Sequence, residues 1–281
     1  MLKIDHNAGF FSCCTIRLSK IIEYFNNNQK LPEEVDSSQQ FNFYKSKQCD
    51  ITFQIFENYN NVNQMITYNS PIEMVYEKTE NQFSDYSKLN FEKVVPFVKK
   101  YFTPSDSIIQ IQKFLEYKYQ IDYDNTCAIF YRGNDKAKET NQPPYQEVID
   151  KAKIIQNEFP NIRFLIQTDE TEFLNYALQN LNNSFEIKEL QKINQNKNLS
   201  IQYVLNNDQK LLGLSLYFAT ILIISKCRKI IHTSGNGEMF MIFYRGNVNG
   251  CYQYLNEKDY IYGVKNDSYN PNKNNHWLTR E

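Results

Sequence analysis

An α/β architecture with a doubly wound parallel sheet in its C-terminal half is predicted for this 281-residue chain by three observations. From Cys127 onward, short apolar runs alternate with amphipathic helical stretches, the pattern that builds parallel sheets. The run Cys127–Tyr131 (CAIFY) is continuously apolar, as a strand covered on both faces must be. Several strands end in polar, charged loops, and such sheets bind ligands beyond the carboxyl ends of their strands.

The first half is read in chain order. Leu2–Asp5 forms a short strand, Asn7–Gly9 a turn, and Ile16–Phe25 a helix with Ile16, Ile21, Ile22 and Phe25 on one face. The turn holds His6, Asn7, Gly9 and Phe10 where an α/β fold places a ligand loop, although the residues alone favour an ordinary βα turn that needs glycine for its backbone geometry. From Leu31 to Asn90 the pattern is mixed: Ile51–Phe56 alternates like a strand and Asn58–Asn63 reads as a loop. A helix follows at Phe91–Tyr101, and after Pro104 a second, capped by Ser105 or Asp106, runs to about Lys118. The break at Pro104 divides the chain into residues 1–104 and 105–250, with 251–281 as a tail that returns toward the first half; its last stretch, Pro271–Glu281, is polar and loose.

In the second half, Tyr145–Glu158 is an amphipathic helix, Arg163–Gln167 a strand, Glu172–Leu181 a helix, and Phe185–Ile187 the start of another strand. Leu211–Lys226 is a buried helix and Lys229–His232 a strand that leads into a further helix.

Composition narrows the function classes. Hydrophobic residues make up 41% and aromatic residues 15%, enough for a real core, so disorder is excluded. A net charge of -1 argues against nucleic acid or a membrane surface as partner. Six cysteines (Cys13, Cys14, Cys49, Cys127, Cys227, Cys251) show no paired spacing and no metal-ligand pattern with His6, His232 or His276. Reduced, buried thiols and no metal are expected. The N-terminus lacks a signal-peptide pattern, and the apolar run Leu211–Ile224 is shorter than the roughly 20 residues of a spanning helix. A cytoplasmic protein without a membrane span is expected.

Three loops carry chemistry. In Phe130–Lys136 (FYRGNDK) a strand delivers Arg132, Asp135 and Lys136, a fork of donors and a mobile cation suited to phosphate oxygens, while Gly133 lets the backbone approach. A solvated turn with internally paired charges is the alternative. In Gln167–Glu170, Thr168 and Asp169 either bind ribose or base groups or cap the next helix. In His232–Phe240, residues Ser234, Gly235, Asn236 and Gly237 can present N–H groups to an anion at a helix N-terminus, with Glu238 following; His232 reads as a packed strand-end residue. Together the loops describe a site for a diphosphate-bearing nucleotide.

At these residues the chain resembles the fucosyltransferase superfamily, which includes α-1,6- and α-1,2-fucosyltransferases and protein O-fucosyltransferases. FYRGNDK, the strand ending in TDE, and IISKCRKIIHTSGNGEMFMIF are similar to its three C-terminal motifs, and HNAGFFS is similar in position to its acceptor-side loop. The resemblance implies a GT-B-like enzyme of two Rossmann-like halves. The N-terminal half would face a glycan or other hydroxyl acceptor, and the C-terminal half would hold a GDP-sugar, usually GDP-fucose, without a metal. It implies that Arg132 binds the diphosphate and assists its departure, with Asp135, Lys136, Asp169 and Ser234 at the matching motif positions. The family often has His-x-Arg-Arg where this chain has Phe130-Tyr131-Arg132-Gly133, and an acidic residue of the long core helix is replaced near Thr220.

Three readings follow. The first is an inverting, metal-independent transferase in which Arg132 stabilises the leaving group. Its base would be Glu139, by position alone, with Asp135, Glu238 or a donor phosphate oxygen as alternatives. The second is a nucleotide-sugar binder that has lost catalysis, motivated by the missing His and second Arg. The third is a scaffold that uses an aromatic surface, motivated by 21 Tyr and 20 Phe.

Overall fold

The computed structural model describes residues 1–45, 50–68, 71–72, 82–196, 199–255, 260–261, 264–265 and 276–280. Cys49, and residues 271–275 and 281 of the tail expected to be loose, lie outside the described residues.

The N-terminal part begins as a βαβ unit. Strand β1 (Leu2–Lys3) pairs in parallel with β2 (Val35–Asp36), and helix α1 (Phe10–Asn28) runs between them. Helix α1 starts six residues earlier than the aliphatic spacing predicts. Phe10, Phe11, Cys13 and Cys14 are all buried, so its apolar face opens with aromatic and thiol side chains. The alternating stretch at Ile51 is not a strand but a single helical turn, α2 (Thr52–Ile55). The Asp50 carboxylate accepts from the Thr52 N–H at 2.8 Å, and Thr52 and Ile55, one turn apart, are buried. Helix α3 (Phe91–Tyr101) has the expected bounds; Asn90 caps it by accepting from the Lys93 N–H at 3.1 Å. Helix α4 (Asp106–Lys118) follows Pro104, with the Ser105 hydroxyl donating to the Gln54 carbonyl instead of capping the helix.

From residue 126 the chain alternates: β3 (Thr126–Tyr131), α5 (Tyr145–Glu158), β4 (Arg163–Thr168), α6 (Thr171–Asn180), β5 (Ser184–Glu186), α7 (Asn207–Lys226), β6 (Lys229–His232), α8 (Asn236–Arg245) and β7 (Cys251–Leu255). A short antiparallel pair, β8 (Tyr260–Ile261) and β9 (Val264–Lys265), precedes β10 (His276–Arg280). Among the described residues one sheet has the order β10-β7-β6-β3-β4-β5, parallel except for the β10 edge. The order of the parallel strands is that of a dinucleotide-type fold, with its switch point between β3 and β6.

The sheet is covered on both faces. Cys127, Ile129 and Tyr131 of β3, with Phe164 and Ile166 of β4, pack on α5 and α6. Ala128, Phe130, Leu165 and Ile230 point the other way, into a core shared by α4, α7, α8 and the N-terminal helices. Here α1 and α3 pack against α8. Phe10, Phe56, Phe102, Phe218 and Phe240 form one buried ring cluster, each ring worth roughly 1.5–3 kcal/mol of burial. Much of the Phe excess therefore serves the interior.

Beyond residue 250, the tail extends the sheet through β7 and β10, because CYQYL supplies a strand that is buried beside β6. Its polar side chains do reach the N-terminal half, where Gln253 Nε2 donates to the Ser84 carbonyl at 2.9 Å and Arg280 pairs with Asp85 at 3.4 Å. Helix α7 is also longer than expected, and over Gln209–Lys226 it is long and apolar enough to cross a membrane. In this fold half of that stretch is buried, and Gln209, Leu212, Gly213, Leu214, Leu216 and Tyr217 line a cavity.

Candidate active site

That cavity, of about 540 Å³, opens beyond the carboxyl ends of β3, β4 and β6, at the switch point. Its size suits a nucleotide-sized ligand. The N-terminal loop contributes His6, Gly9, Phe10, Phe11 and Ser12 to its lining.

Arg132 is the first residue beyond β3. Its N–H donates to Thr233 Oγ1 at 3.3 Å, tying the ends of β3 and β6 together. Nε donates to Asp169 Oδ2 at 3.3 Å, and Nη2 lies 3.4 Å from Asp135 Oδ1. Burial opposes the guanidinium charge, but the carboxylates of Asp169, Asp135 and Glu238 hold its pKa well above the usual value. The side chain keeps 21% exposure and lines the cavity.

Asp169 does more than face Arg132. Its Oδ1 accepts the Gly133 N–H at 3.0 Å and its carbonyl accepts from Asn134 Nδ2 at 2.7 Å. It therefore fixes the loop that carries Arg132 and does not cap α6. Thr168 Oγ1 accepts from the Glu170 N–H at 3.1 Å, a local turn bond at the cavity wall. Glycine at 133 is needed for space: a Cβ there would sit 1.9 Å from Glu170 Oε2. Glu170 is itself buried, and that burial raises its pKa.

Lys136 reaches across to the N-terminal half. Its Nζ pairs with Glu139 at 2.6 Å, donates to Gln82 Oε1 at 3.0 Å and lies 5.3 Å from the Phe83 ring centre. Gln82 Oε1 also accepts from Asn236 Nδ2 at 3.0 Å, so one amide joins the first and third loops. Thr15 of α1 donates to Asn236 Oδ1 at 2.9 Å.

The third loop divides. Asn236 and Gly237 line the cavity, while Ser234 and Gly235 turn away from it, which corrects the expected four-residue anion cradle. The Ser234 hydroxyl donates to the Tyr254 carbonyl at 2.9 Å and accepts from Gln253 Nε2 at 2.9 Å. The Gly235 N–H is taken by Tyr86 Oη at 2.9 Å. Glu238 is fully buried behind the loop, where Oε1 accepts from Thr233 Oγ1 at 3.0 Å and Oε2 has no partner. Burial raises its pKa, with Arg132 and Lys136 opposing. His232 is the packed strand-end residue expected: its ring stacks on Tyr86 with 5.7 Å between centres, and burial lowers its pKa to about 4.

On the N-terminal wall, His6 Nε2 lies 3.1 Å from Ser12 Oγ, and burial lowers the pKa of the ring. The Phe10 N–H donates to Tyr44 Oη at 3.2 Å, while its ring is sunk in the core. Asn7 does not reach the cavity; it is exposed, and its Oδ1 accepts from the Asn42 N–H at 3.1 Å. Among the predicted residues, His6, Gly9, Phe10, Arg132, Asp135, Lys136, Glu139, Thr168, Asp169, Asn236 and Gly237 come together around one space. Gln82, Tyr44 and Tyr217 line it as well and were not foreseen. Tyr217 packs edge-on against Phe11 and Phe130, its hydroxyl buried without a partner.

No family model and no curated protein sequence matches this chain. Solved structures do. NodZ alpha-1,6-fucosyltransferase co-crystallized with GDP aligns with a TM-score of 0.56 and 9% identity, over 90% of this chain and 94% of that one. The same enzyme soaked with GDP-fucose gives 0.56 and 11%, over 92% and 94%. Fucosyltransferase NodZ from Bradyrhizobium gives 0.57 and 11%, over 91% and 95%. This likeness shows a shared GT-B-like α/β fold.

Proposed function

We propose that the protein is a glycosyltransferase that moves a sugar from a GDP-sugar, GDP-fucose above others, to a hydroxyl of a glycan or glycoconjugate, with inversion. The observation that carries the reading is the placement of Arg132. It sits at the switch point of a GT-B-like sheet, held by Asp169 and facing a cavity between two halves of the chain. The similar structures named above were obtained with GDP and GDP-fucose, which supports a guanosine diphosphate donor.

As the bond from the sugar to the β-phosphate breaks, negative charge grows on the departing diphosphate. Arg132 and Lys136 supply positive charge there, and Asn236 and Gly237 add donors from the start of α8. These preorganised groups replace the role a divalent cation plays elsewhere, so activity is expected without metal. Thr168 and Asp169 line the nucleotide side, and the His6–Phe10 loop faces the acceptor. The five described free thiols are all buried, which suits a reducing, cytosolic setting.

A second reading, a protein that binds the nucleotide sugar without transferring it, is favoured by one feature. The Arg132 guanidinium is shared between two carboxylates, and the loop carries no second arginine. Turnover separates the two. With GDP-fucose as donor, Arg132→Ala should lose roughly 100- to 1000-fold in rate. A wild type that binds GDP-fucose but never consumes it, whatever acceptor is supplied, would favour the binder.

A further inference from the structure

We propose that His6 is the general base that takes the proton of the acceptor hydroxyl, with Ser12 as its positioning partner. The inference rests on the transferase reading above and names a residue for a step that reading leaves open.

Each carboxylate that lines the cavity already has a partner. Glu139, the candidate by sequence position, is paired with Lys136 at 2.6 Å. Asp135 faces Arg132 at 3.4 Å, and Asp169 spends one oxygen on Arg132 and the other on the Gly133 N–H. Glu189 is held by Lys118 and by the Tyr119 hydroxyl. An acceptor hydroxyl would have to compete with these partners for the same carboxylates. Glu238, the other alternative, does not reach the cavity. The tyrosines Tyr44 and Tyr217 have pKa values raised by burial, so near neutrality they carry their protons.

His6 differs from all of these. It lines the same cavity as Arg132, and its Nε2 meets a hydroxyl, Ser12 Oγ at 3.1 Å. No ion pair involves its ring among the described residues. The exposed Asp5 precedes it in the chain, and the Cys13 thiol meets its backbone carbonyl, not its ring. Half-burial keeps the imidazole neutral at pH 7, the form a base requires. His6 lies in the loop that leads into α1 and Ser12 in the first turn of that helix, on the half of the chain that does not carry Arg132 and Lys136.

In the step, Nε2–H donates to Ser12 Oγ, which orients the ring, and the acceptor hydroxyl gives its proton to Nδ1. The acceptor oxygen bonds to the anomeric carbon from the face opposite the diphosphate. The bond from that carbon to the phosphate oxygen breaks, and its electron pair leaves on GDP beside Arg132. The imidazolium then returns its proton to solvent. Charge stays balanced, with a cation on each side of the reacting carbon.

The test follows GDP release from GDP-fucose in the presence of a mixed glycan panel, with water as a further acceptor, across pH. GDP affinity is measured calorimetrically on the same samples. The wild type should show a rate that falls on the acid side, below the ordinary histidine range. His6→Gln should lose roughly 100-fold or more in rate, lose that acid limb, and bind GDP as the wild type does. Ser12→Ala should stay within about tenfold and keep the limb, since its part is to orient the ring. A His6→Gln rate within about threefold of wild type, or an unchanged acid limb, would overturn the assignment. A wild type that binds GDP yet releases none from GDP-fucose would overturn it too. Absence of GDP binding by the wild type would instead remove the transferase reading on which it stands.

Discussion

Asp169 grips the Arg132 loop twice, taking the guanidinium Nε on one carboxylate oxygen at 3.3 Å and the Gly133 N–H on the other at 3.0 Å. A single side chain at the end of β4 thus sets both the charge environment and the position of the arginine at the end of β3. Asp169→Asn keeps the size but loses the charge and one acceptor. Turnover should fall roughly 100-fold, the usual cost of a misplaced catalytic group, while the fold persists. Steady-state kinetics beside circular dichroism would check this; unchanged turnover would show that Arg132 needs no such bracket.

The same loop limits what residue 133 can be. A methyl group at Gly133 meets the Glu170 carboxylate at 1.9 Å, and Glu170 is buried and bonded to the Asn134 N–H at 3.3 Å. Gly133→Ala should therefore destabilise by about 1–3 kcal/mol, the range for overpacking. Adding Glu170→Ala should recover part of that loss, a coupling that denaturant titration of both single variants and the double variant would reveal. Additive effects would mean that the two residues do not meet.

His232 gives a pH signature. Burial holds its folded pKa at about 4, below the ordinary value of 6.5, so the unfolded chain binds more protons between those values. Its contribution to stability is fully present above pH 6.5 and is lost as pH falls toward 4. The span corresponds to roughly 3 kcal/mol. His232→Asn should flatten the acid side of a melting-temperature profile over that window. An equally steep profile in the variant would place the acid sensitivity elsewhere.

Local sequence carried the C-terminal half well, because its strands and helices are marked by their own periodicity. Phe91–Tyr101, Tyr145–Glu158 and Lys229–His232 keep their expected bounds. The N-terminal half was harder, since α1 opens with aromatics that the aliphatic spacing passes over, and six alternating residues at Ile51 cannot tell a strand from one helical turn. At the site, sequence could name Arg132, Lys136 and Asn236 but not the amide that joins them. Gln82 lies 54 residues from Lys136 and 154 from Asn236. Nor could it orient Ser234, whose hydroxyl is claimed by Gln253 and Tyr254 of a strand read as tail.

The proposed function stands on a guanosine diphosphate site that is built on Arg132 and works without metal. Calorimetric titration of the purified protein with GDP, UDP, CMP and ADP, each with and without EDTA, tests it most directly. Binding should be selective for GDP, unchanged by EDTA and abolished in Arg132→Ala. Selectivity for UDP or ADP would contradict the GDP-sugar assignment, and a folded protein indifferent to all four nucleotides would contradict the site itself.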